Sequence, residues 1–173
     1  MTKKLALFVL VLFAFGMVAC GTEDEKQDAQ KSAMVWGAAN SAAGQAAGEA
    51  MSQLQTAKKA AESESFNFEM TGTSGGKITV TGNGTFDSDG NSFDISLKMK
   101  FEGYNSQGMV LDGEISYHFV GNDAAFTGEY SGILDYEGDE FKFNITYRYT
   151  ADPISISIEG TVGGNKISGG YSA

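Results

Sequence analysis

Phe141-Lys142-Phe143-Asn144-Ile145-Thr146-Tyr147-Arg148-Tyr149 decides the fold, because each odd position is large and apolar and each even one is polar. A period of two is that of a strand with one buried and one solvated face. The pattern recurs on both sides of this stretch. Phe93, Ile95, Leu97, Met99 and Phe101 share one face of a strand, Leu111, Ile115, Tyr117 and Phe119 of the next, and Phe126, Tyr130, Leu134 and Tyr136 of the one after. Ile154, Ile156, Ile158 and Val162 follow, and Ile167 and Tyr171 close the series. Phe66, Phe68 and Met70, then Ile78, Val80 and Phe86, open it, which brings the number of strands to eight.

Turn-forming residues separate these runs: Ser74-Gly75-Gly76, Asp87-Ser88-Asp89-Gly90-Asn91, Asn105-Ser106-Gln107-Gly108, Gly121-Asn122-Asp123, Glu137-Gly138-Asp139, Asp152-Pro153 and Gly163-Gly164-Asn165. Connections this short join antiparallel neighbours, so the strands form an up-and-down meander. Charges on the polar face suggest the registers, since opposite charges belong across from each other. They set Lys77 opposite Glu102, Lys98 opposite Glu114, Asp94 opposite His118, Asp135 opposite Lys142 and Glu129 opposite Arg148. On the apolar face the same registers oppose Phe66 with Gly82, Tyr117 and Tyr149 with Gly128, and Phe143 with Gly160. Large residues facing small ones fill a curved interior.

Eight strands about 4.8 Å apart make a sheet far wider than a single helix, which is about 10 Å across. Curling the sheet into a barrel, with its first and last strands paired, hides the apolar face and removes the edges. The fold class is therefore mainly β: an eight-stranded antiparallel up-and-down meander closed or nearly closed into a barrel, over residues 64–173. One Ala- and Gly-rich helix precedes it, over residues 32–62, with Trp36, Ala39, Ala43, Ala47, Ala50, Leu54, Ala57 and Ala61 on one apolar stripe. Gly44 and Gly48 invite a kink, and their lack of side chains fits a helix lying close against a sheet. The helix is expected outside the barrel or across a mouth. A membrane-spanning barrel shares the alternation but turns its apolar side outward, and the uniformly short loops argue against it.

The N-terminus carries an address. Lys3 and Lys4 precede the apolar run Leu5–Phe15, which is too short at about 1.5 Å per residue to cross a bilayer core of about 30 Å. It reads as an export signal. Met17-Val18-Ala19-Cys20 then resembles the lipobox of bacterial lipoproteins, with Met17 where Leu is usual. The resemblance implies removal of residues 1–19 and acylation of Cys20, including by palmitate, so that Cys20 is an anchor and not a nucleophile. Gly21, where Asp would favour retention on the inner membrane in enteric bacteria, implies the outer membrane. Residues 20–31 then read as the lipidated Cys and a polar tether.

Composition narrows the chemistry. A net charge of -10 repels phosphate backbones, so nucleic acid is not an expected partner. One Cys cannot form an internal disulfide, and one His cannot build a multi-histidine metal site. Asp87, Asp89 and Asn91 could offer oxygens to calcium, but the stretch lacks the length and terminal Glu of an EF-hand and reads as an acidic hairpin turn. His118 lies on the polar face without a nucleophile that the sequence can place beside it. No cofactor, metal or catalytic set is expected.

Three functions follow. The first is a non-enzymatic, membrane-anchored envelope protein with an envelope or host protein as partner. The second is a carrier of an apolar ligand such as a lipid or fatty acid, with Phe93, Tyr117, Tyr130, Phe143 and Tyr147 lining the interior. The third is an envelope hydrolase, which would need a cleft joining His118 to carboxylates.

Overall fold

The computed structural model describes residues 23–56, 64–87, 92–106, 108–122 and 124–172. One helix, α1 (Glu23–Thr56), precedes eight strands: β1 (Glu64–Thr71), β2 (Lys77–Asp87), β3 (Ser92–Ser106), β4 (Met109–Asn122), β5 (Ala125–Tyr136), β6 (Asp139–Ala151), β7 (Ile154–Val162) and β8 (Asn165–Ser172). They form a single antiparallel sheet in sequence order. Ile95, Leu97, Phe143 and Tyr147 are buried in one apolar cluster with the helix. Lys98, Glu114, Glu129, Arg148 and Glu159 stand exposed on the opposite, convex face.

The sheet is not closed. Among the described residues β1 pairs only with β2 and β8 only with β7, so the barrel is of the nearly closed kind, without the pairing of first and last strands that full closure requires. The helix takes its place. Its backbone approaches β1, β2 and β3 on one side and β7 and β8 on the other. From there Trp36 and Asn40 reach inward to β5 and β6. A helix with half its circumference buried thus fills the open side of a curled sheet, and it lies neither outside a barrel nor across a mouth.

Three features of the helix correct the sequence reading. It starts at Glu23, inside the stretch read as tether, because Gln, Lys and Ala favour helix there and because the third turn has tertiary partners. Lys31 Nζ lies 2.9 Å from Asp139 Oδ2 and 3.4 Å from Glu137 Oε2, and the Asn165 side-chain amide donates to Ser32 Oγ at 3.0 Å. The helix continues without a break through Gly44 and Gly48 to Thr56. Its glycines also face away from the sheet: a Cβ on Gly37, Gly44 or Gly48 would meet nothing within 4 Å. Ala39, Ala42, Ala43, Ala46 and Ala50 make the close contact instead, all fully buried. Leu54, Ala57 and Ala61 of the expected stripe lie outside the described side chains.

Registers differ from expectation by two residues at several hairpins. Lys77 does face Glu102, and Phe66 faces Gly82. Lys98 faces Ser116 and His118 faces Ser96, yet Lys98–Glu114 and His118–Asp94 still meet diagonally at 2.9 Å each. Asp135 faces Glu140 rather than Lys142, and its Oδ1 accepts the Gly138 N–H at 3.1 Å inside the turn. Arg148 pairs with Glu159 on β7 at 2.7 Å instead of with Glu129. Inside, Gly128 lies between Phe119 and Tyr147, Tyr117 faces Tyr130, and Gly160 faces Ile145. Slips of two residues keep every side chain on its expected face.

Among the described residues one corner of the concave face is uncovered. At the end of the sheet away from Lys31, Phe126, Tyr149, Ile156 and Tyr171 stand in register across β5 to β8. Exposure rises toward the edge, reaching 59% at Tyr171, with Ile154 beside it at 47%. Both were expected to be interior.

Candidate functional site

Curvature of the sheet brings the five expected lining residues into one aromatic cluster. Tyr117 on β4 and Tyr130 on β5 stack with centroids 4.5 Å apart, and Tyr130 lies 6.1 Å from Tyr147 on β6. Phe93 on β3 joins through Phe119 at 4.5 Å, and Phe119 in turn lies 5.9 Å from Tyr117. Phe143 joins through Trp36, whose ring stands 6.4 Å from it and meets Tyr130 edge-on at 5.0 Å. All five are buried. Gly128 makes this possible, because the Tyr147 ring lies where a Cβ on Gly128 would be.

Sequence reasoning missed the helix's share. Trp36 and Asn40 sit one turn apart on the buried face, and the Tyr130 hydroxyl donates to Asn40 Oδ1 at 2.8 Å. The signal that could have found them is a polar residue one turn after the only Trp, on the alanine side of the helix. The Tyr117 and Tyr147 hydroxyls share a hydrogen bond of 2.5 Å. Among the described residues no buried side-chain nitrogen or oxygen lacks a partner, so the polar network inside the aromatic cluster is satisfied.

Burial sets the ionisation of these phenols. Loss of solvation pushes Tyr117 well above its ordinary value, with Tyr130 as the next cause, and pushes Tyr130 and Tyr147 up in the same way. They are therefore neutral hydrogen-bonding groups at physiological pH, without phenolate character. At the helix entry, hydrogen bonds from Lys31 to Asp139 and Glu137 raise the lysine's pKa. On the convex face the hydrogen bond from Lys100 holds Glu102 below the usual range.

A second candidate lies on that convex face, where an open groove of about 310 Å³ runs across β2 to β5. Ser96, Ser116, Ser131, His118 and Glu129 line it. His118 Nε2 is 2.9 Å from Asp94 Oδ1, with both side chains about half exposed. Ser96 faces His118 in register, which is the serine that the sequence alone could not place. An exposed contact of this kind is worth at most about 1 kcal/mol and does little to fix the imidazole.

No group of three or more His, Cys, Asp or Glu that could hold a metal occurs among the described residues. No helix among them is long and apolar enough to cross a membrane. Cys20, Asp89 and Asn91 lie outside the described residues. In comparisons with known proteins, no family model, no curated protein and no solved structure matches this chain.

Proposed function

We propose that this chain is a bacterial envelope lipoprotein, anchored through acylated Cys20 and facing the periplasm or exterior from the outer membrane, whose β domain is a non-enzymatic binding or structural module. The observation that carries this reading is the order basic start, short apolar run and Val18-Ala19-Cys20 at the N-terminus. Two or three acyl chains, at about 0.8 kcal/mol per buried CH₂, hold a protein on a membrane stably. Helix α1 begins three residues after Cys20 and enters the sheet at the Lys31 end, so an anchored domain presents its opposite end, with Ile154 and Tyr171, away from the lipid. The polarity of the convex face supports a domain in water more than a barrel in hydrocarbon. An apolar cargo would have to displace Trp36 and the buried alanines from among the aromatics, which favours the packed reading over the carrier.

Metabolic labelling with radioactive palmitate in a bacterial host tests the anchor. The parent chain should take up label and sediment with the outer membrane, and Cys20→Ser should lose both. Unlabelled parent protein released in soluble form would overturn the proposal.

A further inference from the structure

The two free edges of the sheet differ in charge. β1 carries Glu64 and Glu69, whereas β8 (Asn165–Ser172) has no carboxylate at all, alone among the eight strands. Sheet edges are normally protected by charge, by Pro or by a covering element. β8 has Lys166 as its one charged residue, and the helix leaves its far end uncovered, with Tyr171 59% exposed on the apolar face. In a chain of net charge -10, this edge is where a second molecule of the same charge meets least repulsion.

We propose that β8 is the contact between two copies of this chain, joined edge to edge as antiparallel strands. The strand is self-complementary. A two-fold axis through Gly169 places Ile167 of each copy opposite Tyr171 of the other on the concave face. Lys166 then stands opposite Ser172, so the two lysines lie at opposite ends of the contact. The exposed tyrosines become covered and the unpaired backbone groups of both edges bond to each other. Seven paired residues on each strand bury well below the roughly 1,600 Å² of a standard stable interface, so the contact is weak in dilute solution. Confinement on a membrane raises the effective concentration, and in this respect alone the inference rests on the anchored reading.

The test uses the full chain in its membrane, with Ser168→Cys and a short bismaleimide. Ser168 is exposed, and in this register its counterpart lies diagonally across the contact, about 7–8 Å away between Cα atoms. The expected result is an adduct of twice the monomer mass for Ser168→Cys, and none for the parent or for Asn67→Cys on the β1 edge. Adding Tyr171→Glu should lower the yield about tenfold or more by placing a carboxylate opposite Ile167, while Tyr171→Phe should retain it. Circular-dichroism melts of these variants should match the parent, because residue 171 is exposed in the single copy. Monomer alone from Ser168→Cys, an adduct to a different protein, or a yield unmoved by Tyr171→Glu would overturn the proposal. Palmitate label in the same bands reads the anchor independently, so failure of one idea is distinguishable from failure of the other.

Discussion

Gly128 in the sheet and Gly44 in the helix are the same residue used in opposite ways. A Cβ on Gly128 would overlap the ring of Tyr147, so the missing side chain is what lets the aromatic cluster close over β5. Around Gly44 there is open space, and close approach between helix and sheet is achieved by the alanines on the other side. A run of small residues therefore does not say which of its members makes contact. Here the alanines pack and the glycines face away.

The largest effect should come from the side chain that joins the two regions. Trp36→Ala removes the indole wedged between Tyr130 and Phe143 and should cost about 3–5 kcal/mol, read as a lowered denaturant midpoint by circular dichroism. Gly128→Ala sharpens the comparison from the sheet side, with a loss of about 1–3 kcal/mol as Tyr147 is forced from its place. A loss within error would show that the ring moves freely and the interior is loose.

Alkali tests the same interior without mutation. Tyr117, Tyr130 and Tyr147 have folded-state pKa values raised by burial, so their contribution is fully present below the ordinary value of 10.0 and is lost as pH rises toward the folded values. Stability should fall above that point by about 1.4 kcal/mol per pH unit for each tyrosine ionised only on unfolding. Tyr117→Phe should flatten that slope, and an unchanged slope would contradict the burial of its hydroxyl. Smallest of all, Gly44→Ala should stabilise the protein by up to about 1 kcal/mol, since the helix gains propensity and the new methyl touches nothing. A destabilising Gly44→Ala would mean that this face is covered by something else.

The strand count, the order and the assignment of faces were legible because alternation survives any slip of two residues. Register was less so. At β5–β6 the residues Tyr136 and Asp139 pair directly, leaving only Glu137 and Gly138 in the turn, at φ of 58° and 83°. Two positive φ values make the tight hairpin turn that matches strand twist, and a Glu in the first of these positions gives little warning of it. The irregularity between Phe101 and Tyr104 shifts β3 against β4 in the same hidden way. Charge pairing misled for a related reason: long side chains such as Lys98 reach diagonal partners, so a contact of 2.9 Å does not require direct opposition.

The place of the helix was not legible either. Counting strands pointed to a barrel closed or nearly closed, and the nearly closed form is the one found. What the count did not give is that a curled sheet presents its concave side from several directions at once, so that one helix can fill the gap. Trp36 and Asn40 then act as the inward-facing plug that the barrel reading had no use for. The aromatic lining residues came out together because each lies mid-strand on the face that the alternation defines. Their tyrosine hydroxyl bonds depend on the true register, and so could not be read.

Trp36 is the only tryptophan in the chain, which makes its fluorescence the most direct test of a helix seated inside the open sheet. The structure predicts a blue-shifted emission, resistant to iodide, that moves to the red in one step as the protein unfolds. Emission of the folded protein at the wavelength of tryptophan in water, readily quenched by iodide, would contradict it.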